Sequence, residues 1–240
     1  MIDAIVPLVQ LPSVEGIQTV SRAFFEAKCS LEYMIQDQME VRAIAYQTQH
    51  IINRIRSYKN MDPQTSFGKE MLRKWERNQT VHNVPFPGKD TSLEIKNLQD
   101  QLAREPYKSV HDELKRYKQA RWYSLYNGPR SFEDLCCALG HELYYELYYR
   151  TWSASTHTQA VFIDSFFVED GEGYMHAIRS LSGYHETIGH VLPLIVDFYT
   201  KIFGKLMPNE MKLFARFYKN QYRDKWWAFF GETKPKTSLR

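Results

Sequence analysis

Arg150 and His157, seven residues apart in a strongly helical segment, are the pair in this sequence best suited to chemistry. An imidazole can take the proton of a ribose 2′-hydroxyl or return one to a leaving oxygen. A guanidinium stays charged and can grip a phosphate with a planar fork. Together they suit cleavage of RNA without a metal. Seven residues separate the two Cα atoms by about 10 Å along a helix axis. Helical side chains lean toward the N-terminus, so Arg150 leans away from His157. One chain presents one of each, poorly converged, and two chains packed on this helix would present two of each. The pair therefore predicts a homodimeric site. The competing reading is a buried structural network with no catalysis.

Other residues bear on this pair. An Arg followed by four to six residues and a His also occurs at Arg77/His82, Arg104/His111 and Arg179/His185. Pro106 splits the second of these and Gly183 the third. Arg77/His82 is the rival, with a polar Asn78 directly after the arginine, although it runs into a proline-rich loop. Glu146 lies one turn before Arg150, where it either holds the guanidinium for use or forms an ordinary surface pair. Arg22, Glu26, Cys29, Tyr33 and Asp37 share one face of an earlier helix. They support the same polar cleft, or Arg22–Glu26 is a surface ion pair worth about 0.3–0.5 kcal/mol.

Metal and nucleotide chemistries find no pattern. No Glu or Asp has a His three residues later, as a di-iron bundle requires. His185-Glu186…His190 is one residue too long for a zincin, and its two imidazoles diverge. No phosphate-binding glycine loop or serine-hydrolase elbow occurs. No cofactor is expected. The last helical stretch, LFARFYKNQYRDKWWAFF, interleaves cations with aromatics. Such a mixture stacks bases and grips phosphates, or it is a core face with snorkelling Lys and Arg.

The elements that must position these residues are helical throughout. Apolar spacings of three and four run from Gly16 to about Tyr58, as one long helix or two broken near Gln36–Gln38. Asp62-Pro63 stops it. Shorter helices follow over Ser66–Asn78, Thr91 to about Arg104 and Tyr107–Arg121, with a proline-containing loop over 82–91. Asn127-Gly128-Pro129 is a turn, and Ser131 with Asp134 forms a capping box. One helix then runs to about Thr156, weakened at Gly140. That helix would align Cys136, Leu143, Arg150 and His157 in a core-facing column. Residues 160–173 read as an irregular loop or one short hairpin. Tyr184–Met207 is helical with Pro193 inside, and Asn209–Phe230 forms a final amphipathic helix.

The expectation is an all-α, single helical bundle domain over 1–231, with a flexible basic tail at 232–240. The 240 residues are 43% hydrophobic and 15% aromatic, which is ample for a core. A net charge of +3 permits nucleic-acid contact without demanding it. The three cysteines are odd in number and two are adjacent, which argues against a disulfide framework and for a reducing compartment. The N-terminus lacks a basic region before its apolar stretch and breaks at Pro7 and Pro12, and no apolar run is long enough to span a bilayer. The reading is a soluble cytoplasmic protein with no membrane contact.

The order of an RxxFE helix (Arg22, Phe25, Glu26), Tyr33, a tryptophan-containing turn and LYYELYYRTWSASTH resembles a bacterial and archaeal helical family of unknown function. In that family a Y…S…H segment ends a long helix; the matching positions are Tyr148 or Tyr149, Ser153 and His157. The resemblance covers about Gln18–Gln159. That family is distantly similar to the HEPN superfamily of helical bundles. Many of its members are toxins or antiviral ribonucleases that act as dimers through an Arg-x4-6-His motif. The resemblance implies Arg150 and His157 as the catalytic pair, with Glu146, Ser153, Arg22, Glu26 and Tyr33 in support. It implies RNA as substrate and an antitoxin or other defence protein as a further partner. The family usually carries Asn, Asp or His directly after the arginine, where this chain has Thr151. A non-catalytic adaptor that binds a nucleotide or a protein is the alternative.

Overall fold

The computed structural model describes Ile5 and residues 13–78, 85–117, 121–156, 166–169, 172–175 and 184–225. Among these residues the chain is all-α apart from one hairpin. It divides into two compact units, residues Met1–Ile35 with Cys136–Arg240, and residues Gln36–Leu135.

The first unit opens with α1 (Val14–Gln36), which has no interior proline or glycine after Gly16. It buries Ile17, Ser21, Phe24, Phe25, Lys28, Cys29, Glu32 and Tyr33. Of the two arrangements the spacing allowed, the broken one is found. Asp37 and Gln38 form a bend, with Gln38 left-handed at φ 49°, so Asp37 does not continue the helix face that carries Arg22 and Glu26.

The expected helix from Ser131 to Thr156 is not one helix. It is α6 (Phe132–Ala138), α7 (Glu142–Tyr144), a π-helical turn (Tyr145–Tyr149) and α8 (Arg150–Thr156). Gly140 adopts φ 72°, the His141 amide donates to the Cys136 carbonyl (2.8 Å) and the Gly140 amide to the Cys137 carbonyl (3.0 Å). Those paired bonds and the left-handed glycine form a Schellman cap, which ends α6. The π-turn then inserts one extra residue and rotates everything beyond it. The predicted column is therefore lost. Cys136 is fully buried whereas Leu143 is 67% exposed.

Beyond α8, the segment expected to be a loop or hairpin contains antiparallel strands β1 (Phe166–Glu169) and β2 (Glu172–Met175), paired from Phe166↔Met175 to Glu169↔Glu172. α9 (Tyr184–Leu206) runs through Pro193, as expected. α10 (Pro208–Tyr218) follows, starting on its proline, and passes into a second π-helical turn (Lys219–Arg223). The unit buries Phe24, Phe25, Cys29, Cys136, Trp152, Ile188, Val191 and Leu194. The tail expected at 232–240 lies outside the described residues.

The second unit holds α2 (Met39–Met61), α3 (Ser66–Arg77), α4 (Ser92–Leu102), α5 (Tyr107–Arg116) and a 3-10 turn (Trp122–Asn127). Buried Asp62 ties it together. Its carboxylate accepts from the Gln64 amide (2.8 Å) and from the Thr91 amide (3.0 Å). A Cβ on Gly68 would sit 1.7 Å from the Asp62 carbonyl oxygen, so only glycine fits there. No helix among the described residues is long and apolar enough to cross a membrane.

Candidate functional site

Two polar clusters are built on α1, and Phe25 lies against residues of both. Its ring meets His141 at 6.0 Å and Tyr149 at 5.9 Å between centroids.

The first cluster joins residues that the sequence singled out. Arg22 Nε lies 3.3 Å from Glu26 Oε1, one turn away on α1. The Tyr149 hydroxyl donates to Glu26 Oε1 at 2.7 Å, and Arg22 Nη2 donates to that hydroxyl at 3.5 Å. The Arg22 guanidinium also lies 5.3 Å from the Tyr149 ring centroid. Tyr149 stacks on Tyr145 (5.2 Å, 19°), and Arg150 covers the other ring at 5.5 Å. The result is a ladder, Arg22–Tyr149–Tyr145–Arg150, with a carboxylate beside each guanidinium: Glu26 at one end and Glu146, 3.3 Å from Arg150 Nε, at the other. Burial and the hydrogen bond to Glu26 push the Tyr149 phenol up to about 12, against the opposing pull of Arg22. Tyr149 therefore stays protonated as a donor at neutral pH.

Arg150 is 57% exposed at its side chain, which removes the buried-network reading for that residue. Ser153 is half-buried one turn after Tyr149. Tyr33 is buried among the core residues of α1. Cys29 does not face a polar cleft; its thiol lies 4.0 Å from that of Cys136, and both are buried. Of the rival pair, Arg77 is the exposed last residue of α3. His157 and His82 lie outside the described residues.

The second cluster went unread in the sequence. Lys28, fully buried, donates to Glu32 one turn on, lies 2.7 Å from Asp197 Oδ2 on α9 and 3.0 Å from His141 Nε2 in the turn after Gly140. His141 Nε2 meets Glu32 Oε2 at 2.5 Å. Lys201 lies 3.2 Å from Glu32 and 3.1 Å from Asp197. Burial pushes the Glu32 carboxyl up, but hydrogen bonds from His141 and Lys28 outweigh it and hold it at about 2. Asp197 is lowered by the two lysines against its own desolvation, and Lys201 is raised by the two carboxylates against its own. Ligand atoms of Glu32, His141 and Asp197 lie within 4.8 Å of one another, close enough to hold a metal ion. The Lys28 ammonium already makes contact with all three. Two ammoniums and two carboxylates cancel, so the cluster supplies its own cation. The signal in the sequence was Lys28 among Phe24, Phe25, Leu31 and Ile35, at helical spacings of three, four and seven residues where an apolar residue is called for.

A model of the family described as a family of unknown function (DUF5677) matches residues 1–175. The chain belongs to this family. No curated protein and no solved structure matches it. The DUF5677 match takes in Arg22, Glu26, Tyr149, Arg150 and His157, hence the whole of the first cluster. Asp197 and Lys201 lie beyond it, so the second cluster is completed by a helix outside the DUF5677 region.

Proposed function

We propose that this chain is a HEPN-like, metal-independent endoribonuclease that acts as a homodimer, as a toxin or antiviral effector in a prokaryotic cell. The observation that carries the reading is the Arg22–Glu26–Tyr149 cluster. It ties α1 to the turn that presents Arg150 and leads toward His157. In the reaction, a ribose 2′-oxygen attacks the adjacent phosphorus as His157 takes its proton. The bond from phosphorus to the 5′-oxygen breaks, that oxygen receives a proton, and a 2′,3′-cyclic phosphate remains. Arg150 meets the charge gathering on the phosphorane. Arg22 and Glu26 position Tyr149, and through it the stacked Tyr145 on which Arg150 lies.

The same surface supports pairing with a second copy. Leu143, Leu147 and Arg150 are all exposed and lie on neighbouring turns. A second copy packed on this face would set these leucines against those of its partner. The dimer would supply two histidines, one to act as base and one as acid.

Purified protein should degrade RNA in EDTA, and His157→Ala should abolish the cleavage while leaving the far-UV circular dichroism unchanged. Absence of cleavage on any RNA, or cleavage unchanged in the variant, favours the second reading. This is a non-catalytic adaptor that uses the same exposed face for an antitoxin or other protein. Glu26 and Glu146 favour it, because each already neutralises a guanidinium.

A further inference from the structure

Two stretches of this sequence reach a net charge of +4, residues 41–61 and residues 205–225, and only the second also carries a run of outward aromatic side chains. Residues 205–225, which hold α10 and the π-turn after it, carry six cations and two carboxylates, a net +4, whereas the whole chain carries +3. The rest of the chain is therefore slightly acidic. Lys212, Arg216, Lys219 and Arg223 follow at spacings of four, three and four, which puts them on one side of the rod. They extend about 16 Å along it. Arg223 pairs with Asp224 at 2.9 Å. Lys212, Arg216 and Lys219 are exposed, and among the described residues no carboxylate pairs with them.

The inward side of α10 is already occupied. Phe214 stacks on Phe203 of α9 (5.0 Å, 28°) and lies against Tyr199 (5.9 Å) and Tyr218 (6.5 Å). Leu213, Phe217 and Tyr222 remain outside, each more than half exposed, with Phe217 and Tyr222 edge to face at 5.5 Å. Snorkelling over a core does not describe this arrangement, because cations and aromatics both face solvent. An interfacial membrane helix needs its apolar face free to enter the lipid. Here the centre of that face is committed to α9. Uncompensated cations beside outward aromatic rings complement a flexible polyanion whose bases can stack.

We propose that the outward side of α10 is a docking surface for a single RNA strand. Lys212, Arg216 and Lys219 hold its phosphates and Phe217 stacks on a base. This rests on RNA being the substrate, and it assigns binding to a helix outside the family region.

The test uses the full chain and a dye-labelled 2′-O-methyl oligoribonucleotide, which cannot be cleaved through its 2′-oxygen. Binding is followed by fluorescence anisotropy across a salt series. Lys212→Gln, Arg216→Gln and Lys219→Gln combined should weaken binding at least about tenfold and flatten the plot of log affinity against log salt by about 2. Phe217→Ala should weaken binding about tenfold with the slope unchanged. Absence of binding by the natural protein, or affinity and slope unchanged in the triple variant, overturns the proposal. So does binding to phosphatidylserine vesicles that the triple variant loses while its RNA binding persists. The two readings fail separately. RNA binding that the triple variant loses, in a protein that cleaves no RNA, retains the docking surface and removes the nuclease. Cleavage that depends on His157 alongside unchanged binding in the triple variant does the reverse.

Discussion

Lys28 is fully buried yet donates to or touches Glu32, Asp197 and His141, and its charge is balanced within a few ångströms. Removing one member of such a group costs more than the group contributes, because a buried charge is left without its partner. Glu32 gives this a pH signature. Its carboxyl lies at about 2 in the folded protein, against an ordinary 4.5. A depressed acid stabilises the fold fully above its unfolded value and loses that contribution as pH falls through its folded value. The window is therefore between about pH 4.5 and pH 2, and the contribution at neutral pH is on the order of 3 kcal/mol. Glu32→Gln is expected to be less stable by at least that order at pH 7 and to approach the natural protein as pH drops to 2. Urea unfolding across that range checks it. A constant difference between the two proteins from pH 7 to pH 2 contradicts the assignment. Asp197, also lowered, leaves a residual acid dependence in the variant.

At the scale of elements, the break after α6 decides where the candidate site faces. Ser131 and Asp134 cap each other's amides, each at 3.0 Å, so the helix starts where the capping box puts it. Gly140 ends it with φ 72°, and a Cβ there would meet nothing within 4 Å. Substitution therefore costs backbone strain alone. Gly140→Ala should destabilise by about 1 kcal/mol, a fall of about 2–4 °C in melting temperature for a chain of this size. A neutral result would mean that the left-handed turn is not what ends the helix. The π-turn at Tyr145–Tyr149 matters in the same way. Its additional residue sets the phase that stacks Tyr145 on Tyr149 and leaves Leu147 and Arg150 outward.

For the molecule as a whole, the proposed dimer makes a prediction that single residues do not. If two copies meet near Leu147, Leu147→Glu sets like charges and two desolvated carboxylates against each other across the axis. Sedimentation velocity should show a dimer for the natural protein and a monomer for the variant, with RNA cleavage lost along with the dimer. A natural protein that sediments as a monomer at micromolar concentration removes the two-chain site.

Local signals were enough for much of this protein. Spacings of three and four, Asp62-Pro63, the Ser131 capping box and Asn127-Gly128 mark helices and stops, because propensity and capping act within a few residues of each other. The i, i+4 pairs Arg22–Glu26 and Glu146–Arg150 were legible for the same reason. Tertiary structure decided what lies far apart in sequence. It chose Tyr149 to bridge Arg22 and Glu26 across more than a hundred residues. It drew His141, Asp197 and Lys201 around Lys28, where the sequence pattern alone calls for an apolar side chain. It also turned Leu143 to solvent while burying Cys136. Lys28 can be buried as a cation here because Asp197, far away in the sequence, joins Glu32 in meeting its charge. A helix can change face only where a cap and a π-turn interrupt its period, and neither condition can be read from spacing within one segment.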